Sequence, residues 1–153
     1  MTLEENLKKN NIKLPNAMNP VGSYVGCKKI GNLLFISGQI SIDENNNLIK
    51  GKLGENLTVK DGYQAAKRCA LSLISQAKKF CNDDLNKIKS CIKLTGYVNS
   101  VSNFTEQPKV INGASDLIFL VFGEDGKHAR AAVSVNSLPL GVAIEVDGIF
   151  EIN

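Results

Sequence analysis

One arginine and one glutamate, Arg130 and Glu145, stand inside the C-terminal run ARAAVSVNSLPLGVAIEVDGIFEI, whose other residues are mostly the small and β-branched types of a sheet interior. A guanidinium is a planar fork that can bind both oxygens of a carboxylate at once. An arginine in such a setting can therefore serve a carboxylate site, and it can equally sit in a subunit contact. The other chemistry-bearing residues narrow the field. His128 is the single histidine, which excludes a His-pair metal site within one chain. Any Ser-His-Asp or Cys-His device would have to use that one ring. His128 shares the parity of Arg130 but reads as an exposed residue at the start of a strand, without a role. Cys27, Cys69, Cys81 and Cys91 form no C-x-x-C pair and have no partnering histidines, so they read as reduced, mostly buried small hydrophobes. GEDGKH lacks the glycine spacing and the Ser or Thr of a phosphate loop, and reads as a turn into the strand of Arg130.

The elements that must position the two charges follow from periodicity. Thr2 and Glu5 have the spacing of a capping box, which predicts a short helix over residues 2–8. SYVGCKKIGNLLFISGQI predicts two strands joined at Gly31-Asn32. Residues Ile42 to Asn56 read as a polar loop. Thr58 is an N-cap with Asp61 behind it, and Ala66, Cys69, Ala70, Leu73, Ala77 and Phe80 recur at helical spacing as one buried face. In KIKSCIKLTGYVN, Ile88, Ser90, Ile92, Leu94 and Val98 fall on one side of a strand. A second helix carries Ile111, Ala114, Ile118, Val121 and Phe122, and starts between Asn103 and Gln107 because Pro108 belongs in a first turn. Strands over Ala129–Val135 and Val142–Ile152 close the chain. The order ββ-α-β-α-ββ predicts an α+β or split-βαβ fold in which the helices pack on a single face of the sheet.

Successive strand residues point to opposite faces, so parity assigns the charges. Val133 and Val135 are odd-numbered with Ala131, whereas Arg130, Ala132 and Ser134 are even. In the last strand Val142, Ile144, Val146 and Phe150 are even, and Glu145, Asp147 and Glu151 are odd. With the apolar sets turned toward the helices, Arg130 and Glu145 both fall on the helix-free face. A solvated outer face is the plainer reading of such charges. Ala132 and Ser134, however, leave an open floor beneath the guanidinium, where a solvated strand would more usually carry threonines or longer polar groups.

Composition sets the outer bounds. The 153 residues, 43% hydrophobic, can bury one core, so the chain is read as a single domain over 1–153 with residues 1–19 as an N-terminal extension. A net charge of +3 from scattered Lys and Arg gives little support to nucleic-acid or anionic-membrane binding. No apolar stretch approaches the roughly 18 residues of a membrane span. MTLEENLKKNN lacks the apolar segment of a secretory signal, so a cytoplasmic location is expected.

GNLLFISGQI, ARAAV, LP and AIEVDGIFEI, in this order, resemble the Rid family of enamine/imine deaminases, also called the YjgF or RidA family, over about Pro20 to Ile152. The resemblance implies a chorismate-mutase-like mixed sheet with two helices packed on one face, assembled as a homotrimer. The helix-free sheet faces would turn inward, with three clefts between subunits. It implies that Arg130 clamps a substrate carboxylate and that Glu145 orients or activates the attacking water. Tyr24 would line the cleft, Gly38 would bring backbone close to the ligand, and Ala132 would stand with Arg130 among the substrate-binding positions. The implied substrates are 2-imino acids, such as the one formed from 2-aminoacrylate, converted to 2-keto acids and ammonia without metal or cofactor. No nucleic-acid or membrane partner is implied.

The chain departs from the family pattern at Ala132, a position beside the clamp where a cysteine is frequent. It departs again at Ser102, where an asparagine is frequent before the second helix, and the Ile42–Asn56 loop is longer than in compact members. The departures at Ala132 and Ser102 favour a second reading, a non-catalytic protein binding small carboxylates in the same clefts. An endoribonuclease ranks last, because the chain has no basic aromatic patch and no His pair for acid–base cleavage.

Overall fold

A computed structural model describes residues 1–153. Helix α1 (Leu3–Lys9) begins on the capping box: the Glu5 N–H donates to Thr2 Oγ1 at 3.1 Å, and the Thr2 N–H donates to Glu5 Oε2 at 2.8 Å. Helix α2 (Val59–Phe80) uses the same device, with reciprocal bonds of 2.9 and 3.2 Å between Thr58 and Asp61. Each box satisfies amide donors that a helix start leaves without partners. Strands β1 (Cys27–Ile30) and β2 (Leu33–Ile40) form the hairpin, and Gly31 supplies the positive φ of +55° that its turn requires. Strand β3 (Ile88–Asn99), helix α3 (Gln107–Phe122), strand β4 (Ala129–Val135) and strand β5 (Ile144–Ile152) complete the order.

The strands run β1-β2-β5-β3-β4 across one mixed sheet, in which only β3 and β4 are parallel. A parallel pair needs a crossover, and α3 provides it. Both long helices lie on one face, α2 over β5 and β2, α3 over β3 and β4. Leu34, Leu73, Ile74, Leu94, Ile111, Ile118, Ile144 and Phe150 are fully buried between sheet and helices. The helices meet closely: a β-carbon on Gly113 of α3 would lie 1.9 Å from the Tyr63 carbonyl oxygen of α2. No helix is long and apolar enough to cross a membrane.

Four local expectations change. Phe80 ends α2 at 40% exposure, so the buried stripe stops at Ala77. On β3, register shifts fall between Ile88 and Ser90 and between Cys91 and Lys93; Ser90 pairs with Glu151, Cys91 is buried and Ile92 is turned outward. The segment from Ile42 to Asn56 is tied down rather than simply solvated, with bridges from Ile42 to Leu48, Lys50 to Val142 and Leu53 to Ser100, and Leu53 fully buried. The last strand begins at Ile144, because Val142 is engaged by Lys50.

The largest correction concerns Arg130. In register it lies beside Leu94, which is buried under the helices, and its side chain reaches α3. Arg130, Ala132 and Ser134 therefore occupy the helix face, while Ala131 and Val133, the latter 46% exposed, face away. The physical reason is the close approach of α3. A β-carbon on Gly96, the register partner of Ala132, would come within 2.5 Å of Ile111 on that helix. Small residues are needed where a helix sits this near a strand, so the small set faces inward and the valines do not. Glu145 is on the helix-free face as parity indicates, half-buried beside Asp147.

Candidate active site

Glu145 lies beneath a break in the β2–β5 ladder. The pairing shifts between Ile36↔Gly148 and Gln39↔Val146, a bulge centred on Ser37 and Gly38. A β-carbon on Gly38 would stand 2.7 Å from Glu145 Oε2, so the missing side chain makes room for the carboxylate. The opening is a cavity of about 490 Å³ whose lining includes Tyr24, Gly38, Glu145, Met18, Val21 and Leu140. Glu145 is the one charged side chain on its walls and makes no hydrogen bond or ion pair with another protein group. Burial, with a smaller contribution from the neighbouring Asp147 carboxylate, raises its pKa above the usual glutamate value. Tyr97, whose hydroxyl donates to Asp147 at 3.2 Å, is raised chiefly by burial as well.

Part of the cavity wall is supplied by the segment leading into β1. It has no regular structure of its own and is pinned along α2. The Ser75 hydroxyl donates to the Pro15 carbonyl at 2.7 Å, the Gln76 amide to the Met18 carbonyl at 2.7 Å, and Lys79 to Asn19 Oδ1 at 2.7 Å. The expected N-terminal extension is thus built into the fold.

Arg130 belongs to a second pocket, of about 350 Å³, between α3 and the start of β4. Its Nη1 donates to Asn112 Oδ1 at 2.8 Å and to Ser115 Oγ at 3.2 Å. Behind it, His128 Nδ1 lies 2.7 Å from the Gly126 carbonyl and Nε2 lies 2.9 Å from Ser115 Oγ. A carbonyl can only accept, so Nδ1 carries the proton; in the neutral ring Nε2 then accepts from the Ser115 hydroxyl. The donors therefore run Arg130 to Ser115 to His128 to Gly126. This holds Nη1 in place and leaves the Nε/Nη2 edge without a protein partner, the edge suited to two parallel bonds with a carboxylate. Asp116, on the same rim, accepts from the Tyr63 hydroxyl at 2.7 Å.

Within one chain the fold thus gathers Tyr24, Gly38 and Glu145 and keeps Arg130 and Ala132 apart from them. Ala132 packs against the core and lines neither pocket, and Ser102 is exposed in a turn away from both. Sequence reasoning missed Met18, Gln76 and Leu140 in the first pocket and Asn112 and Ser115 in the second. The spacing of Asn112, Ser115 and Asp116 beside the apolar stripe of α3 was an available signal, since residues three and four apart share a helix face. Burial pushes Cys27 and Cys91 up to about 12 and raises Cys69 and Cys81 as well, which disfavours the thiolate in all four.

A mixed sheet covered on one face by two helices, with a carboxylate lodged beneath a glycine bulge, defines a YjgF-type protein. The chain belongs to the family described as "YjgF/chorismate_mutase-like, putative endoribonuclease", whose model matches residues 4–150. Protein TCP17 of Trypanosoma cruzi is 46% identical over 97% of this chain and 92% of its own. A RutC family protein of Pyrococcus abyssi is 31% identical over 87% of this chain and 89% of its own. Among solved structures, a protein of unknown function from Agrobacterium tumefaciens is 44% identical and superposes with a TM-score of 0.89, covering 99% of this chain and 92% of its own.

Proposed function

We propose that the protein hydrolyses 2-imino acids to 2-keto acids and ammonia in clefts completed by a neighbouring copy of the chain, within a homotrimer. The observation that carries this is the division of labour between the two pockets. One has a free carboxylate and no cation; the other has an anchored guanidinium with its bidentate edge open. An imino acid needs both. Exposed apolar residues on the helix-free face, Phe35, Ile92 and Val133, support an association that covers that face.

In the proposed cleft, Arg130 of one copy grips the substrate carboxylate and so places the C=N carbon beside Glu145 of another. Glu145 accepts a proton from water as the water oxygen bonds to that carbon, and the imine nitrogen becomes an amine. Glu145 returns that proton to the nitrogen to complete a carbinolamine, then relays the new hydroxyl's proton to the same nitrogen; the C–N bond breaks, the C=O bond forms, and ammonia departs with Glu145 ionised again. The raised pKa of Glu145 makes it a stronger base than an ordinary carboxylate, and general-base assistance of this kind contributes typically about 10²–10⁴-fold. The test is keto-acid release from an imine generated in situ by an amino-acid oxidase. Arg130→Ala should abolish the acceleration, and undiminished acceleration in that variant would remove the clamp.

A second reading, a non-catalytic binder of small carboxylates, is favoured by Ala132 and Ser102 lining neither pocket, so that no side chain at those positions is available to hold an imine nitrogen. Under it, Glu145→Gln would retain keto-acid binding with no rate to lose. RNA cleavage has the least support, because the chain has a single histidine, no His pair for acid–base cleavage and no basic aromatic patch.

A further inference from the structure

We infer that the Glu145 cavity is built for 2-imino acids with long apolar side chains, and that Leu140, Met18 and Val21 select them. The inference rests on the proposed hydrolysis and goes beyond it by naming the side-chain class. Two independent observations lead here.

The first is the shape and chemistry of the cavity. Its walls include Ile40, Ile42, Leu48, Met18, Val21 and Leu140, with Glu145 and polar groups such as Asn46 and Ser72 among them, and the larger part of the lining surface is apolar. A three-carbon imino acid would leave most of about 490 Å³ to water against apolar walls. A branched or thioether side chain would displace that water and satisfy the same surface.

The second is the backbone at Leu140. It sits at φ +59° and ψ +14°, between Pro139 and Gly141 (φ +73°), with the side chain 67% exposed at the cavity mouth. Leucine is a poor choice there on two counts. The left-handed region favours glycine or asparagine, and a turn in water favours polarity. A residue that suits neither its backbone nor its solvent is best explained by what its side chain meets when the site is filled. Met18 and Val21, both strongly exposed, line the same cavity from the segment leading into β1, and the Gln76 bond to the Met18 carbonyl fixes that segment to α2. Leu140 and this segment then serve as two apolar jaws of one cavity.

The experiment compares imines generated from L-leucine, L-methionine and L-alanine by an amino-acid oxidase, with hydrolysis followed by competition against semicarbazide trapping. The expected result is a kcat/KM at least about tenfold higher for the leucine- and methionine-derived imines than for the alanine-derived one, the scale of partly burying several methylenes. Leu140→Gly, which relieves the backbone, and Met18→Ala should each lower that ratio severalfold, with melting temperatures confirming folded protein. Equal rates on all three imines would overturn the side-chain assignment and leave the hydrolysis standing. If no imine is hydrolysed, the hydrolysis falls, and calorimetry with 4-methyl-2-oxopentanoate and pyruvate decides the cavity. Tighter binding of the longer acid, lost in Leu140→Gly, upholds the apolar jaws; equal or absent binding overturns them.

Discussion

Gly38 and Glu145 fit together as socket and occupant: the carboxylate Oε2 stands 2.7 Å from the place a β-carbon on Gly38 would take. The β2 bulge and the β5 glutamate are therefore one feature. Gly38→Ala should push the carboxylate aside while barely disturbing an exposed strand position. The expected outcome is a fall in kcat/KM of about tenfold or more, with stability changed by less than about 1 kcal/mol. Steady-state kinetics beside a thermal melt would check both, and an unchanged rate would separate the bulge from the chemistry.

Glu145 also links function to pH. Its pKa is raised from the ordinary 4.5 by burial and then by Asp147, and the working form is the ionised one. The rate should therefore fall as pH drops through the raised value, an acid limb above the usual glutamate range. Stability runs the other way. The folded state holds this proton more tightly than the unfolded chain, so this group's contribution to stability falls as pH rises from the unfolded to the folded pKa and stays low beyond it. Glu145→Gln should raise the melting temperature near neutral pH, with the gain fading on acidification below the ordinary carboxylate range. Its activity should drop about 10²–10⁴-fold.

Separation of the two charges within a chain makes complementation possible. Arg130→Ala and Glu145→Gln proteins should each be inactive alone. When the two are denatured together and refolded as a mixture, random trimers should recover roughly a quarter of the wild-type rate, since three-quarters are mixed and each mixed trimer holds one intact cleft in three. Light scattering of the wild-type protein should give about three times the 16.5 kDa chain mass. No recovery from a mixture shown to contain hybrids would overturn the cleft shared between copies.

Arg130→Lys should fail despite keeping the charge. Lysine presents a point charge in place of a fork, and cannot hold Asn112 and Ser115 with one nitrogen while offering two more donors to a carboxylate. Ser115→Ala should raise KM severalfold with a smaller change in kcat, because it loosens the guanidinium without touching the reacting atoms.

Much of this protein was legible in its residues. Thr2 with Glu5 and Thr58 with Asp61 announced two helix starts, because capping is a local exchange of hydrogen bonds. Gly31 announced the hairpin, and alternation along β5 put Glu145 on the helix-free face, because a strand's period of two is intrinsic to its backbone. The face taken by Arg130 was decided by tertiary structure. Parity grouped Arg130 with Ala132 and Ser134 correctly, but α3 passes so close over Gly96 and Ala132 that the small set, not the valines, faces it. Likewise Met18 and Leu140, far apart in the chain, meet at one cavity through bonds from α2 and a strained turn. Local hydrogen bonding and backbone period are properties of neighbouring residues. How near a helix approaches a strand depends on the whole packed core, and no stretch of sequence read alone contains that distance.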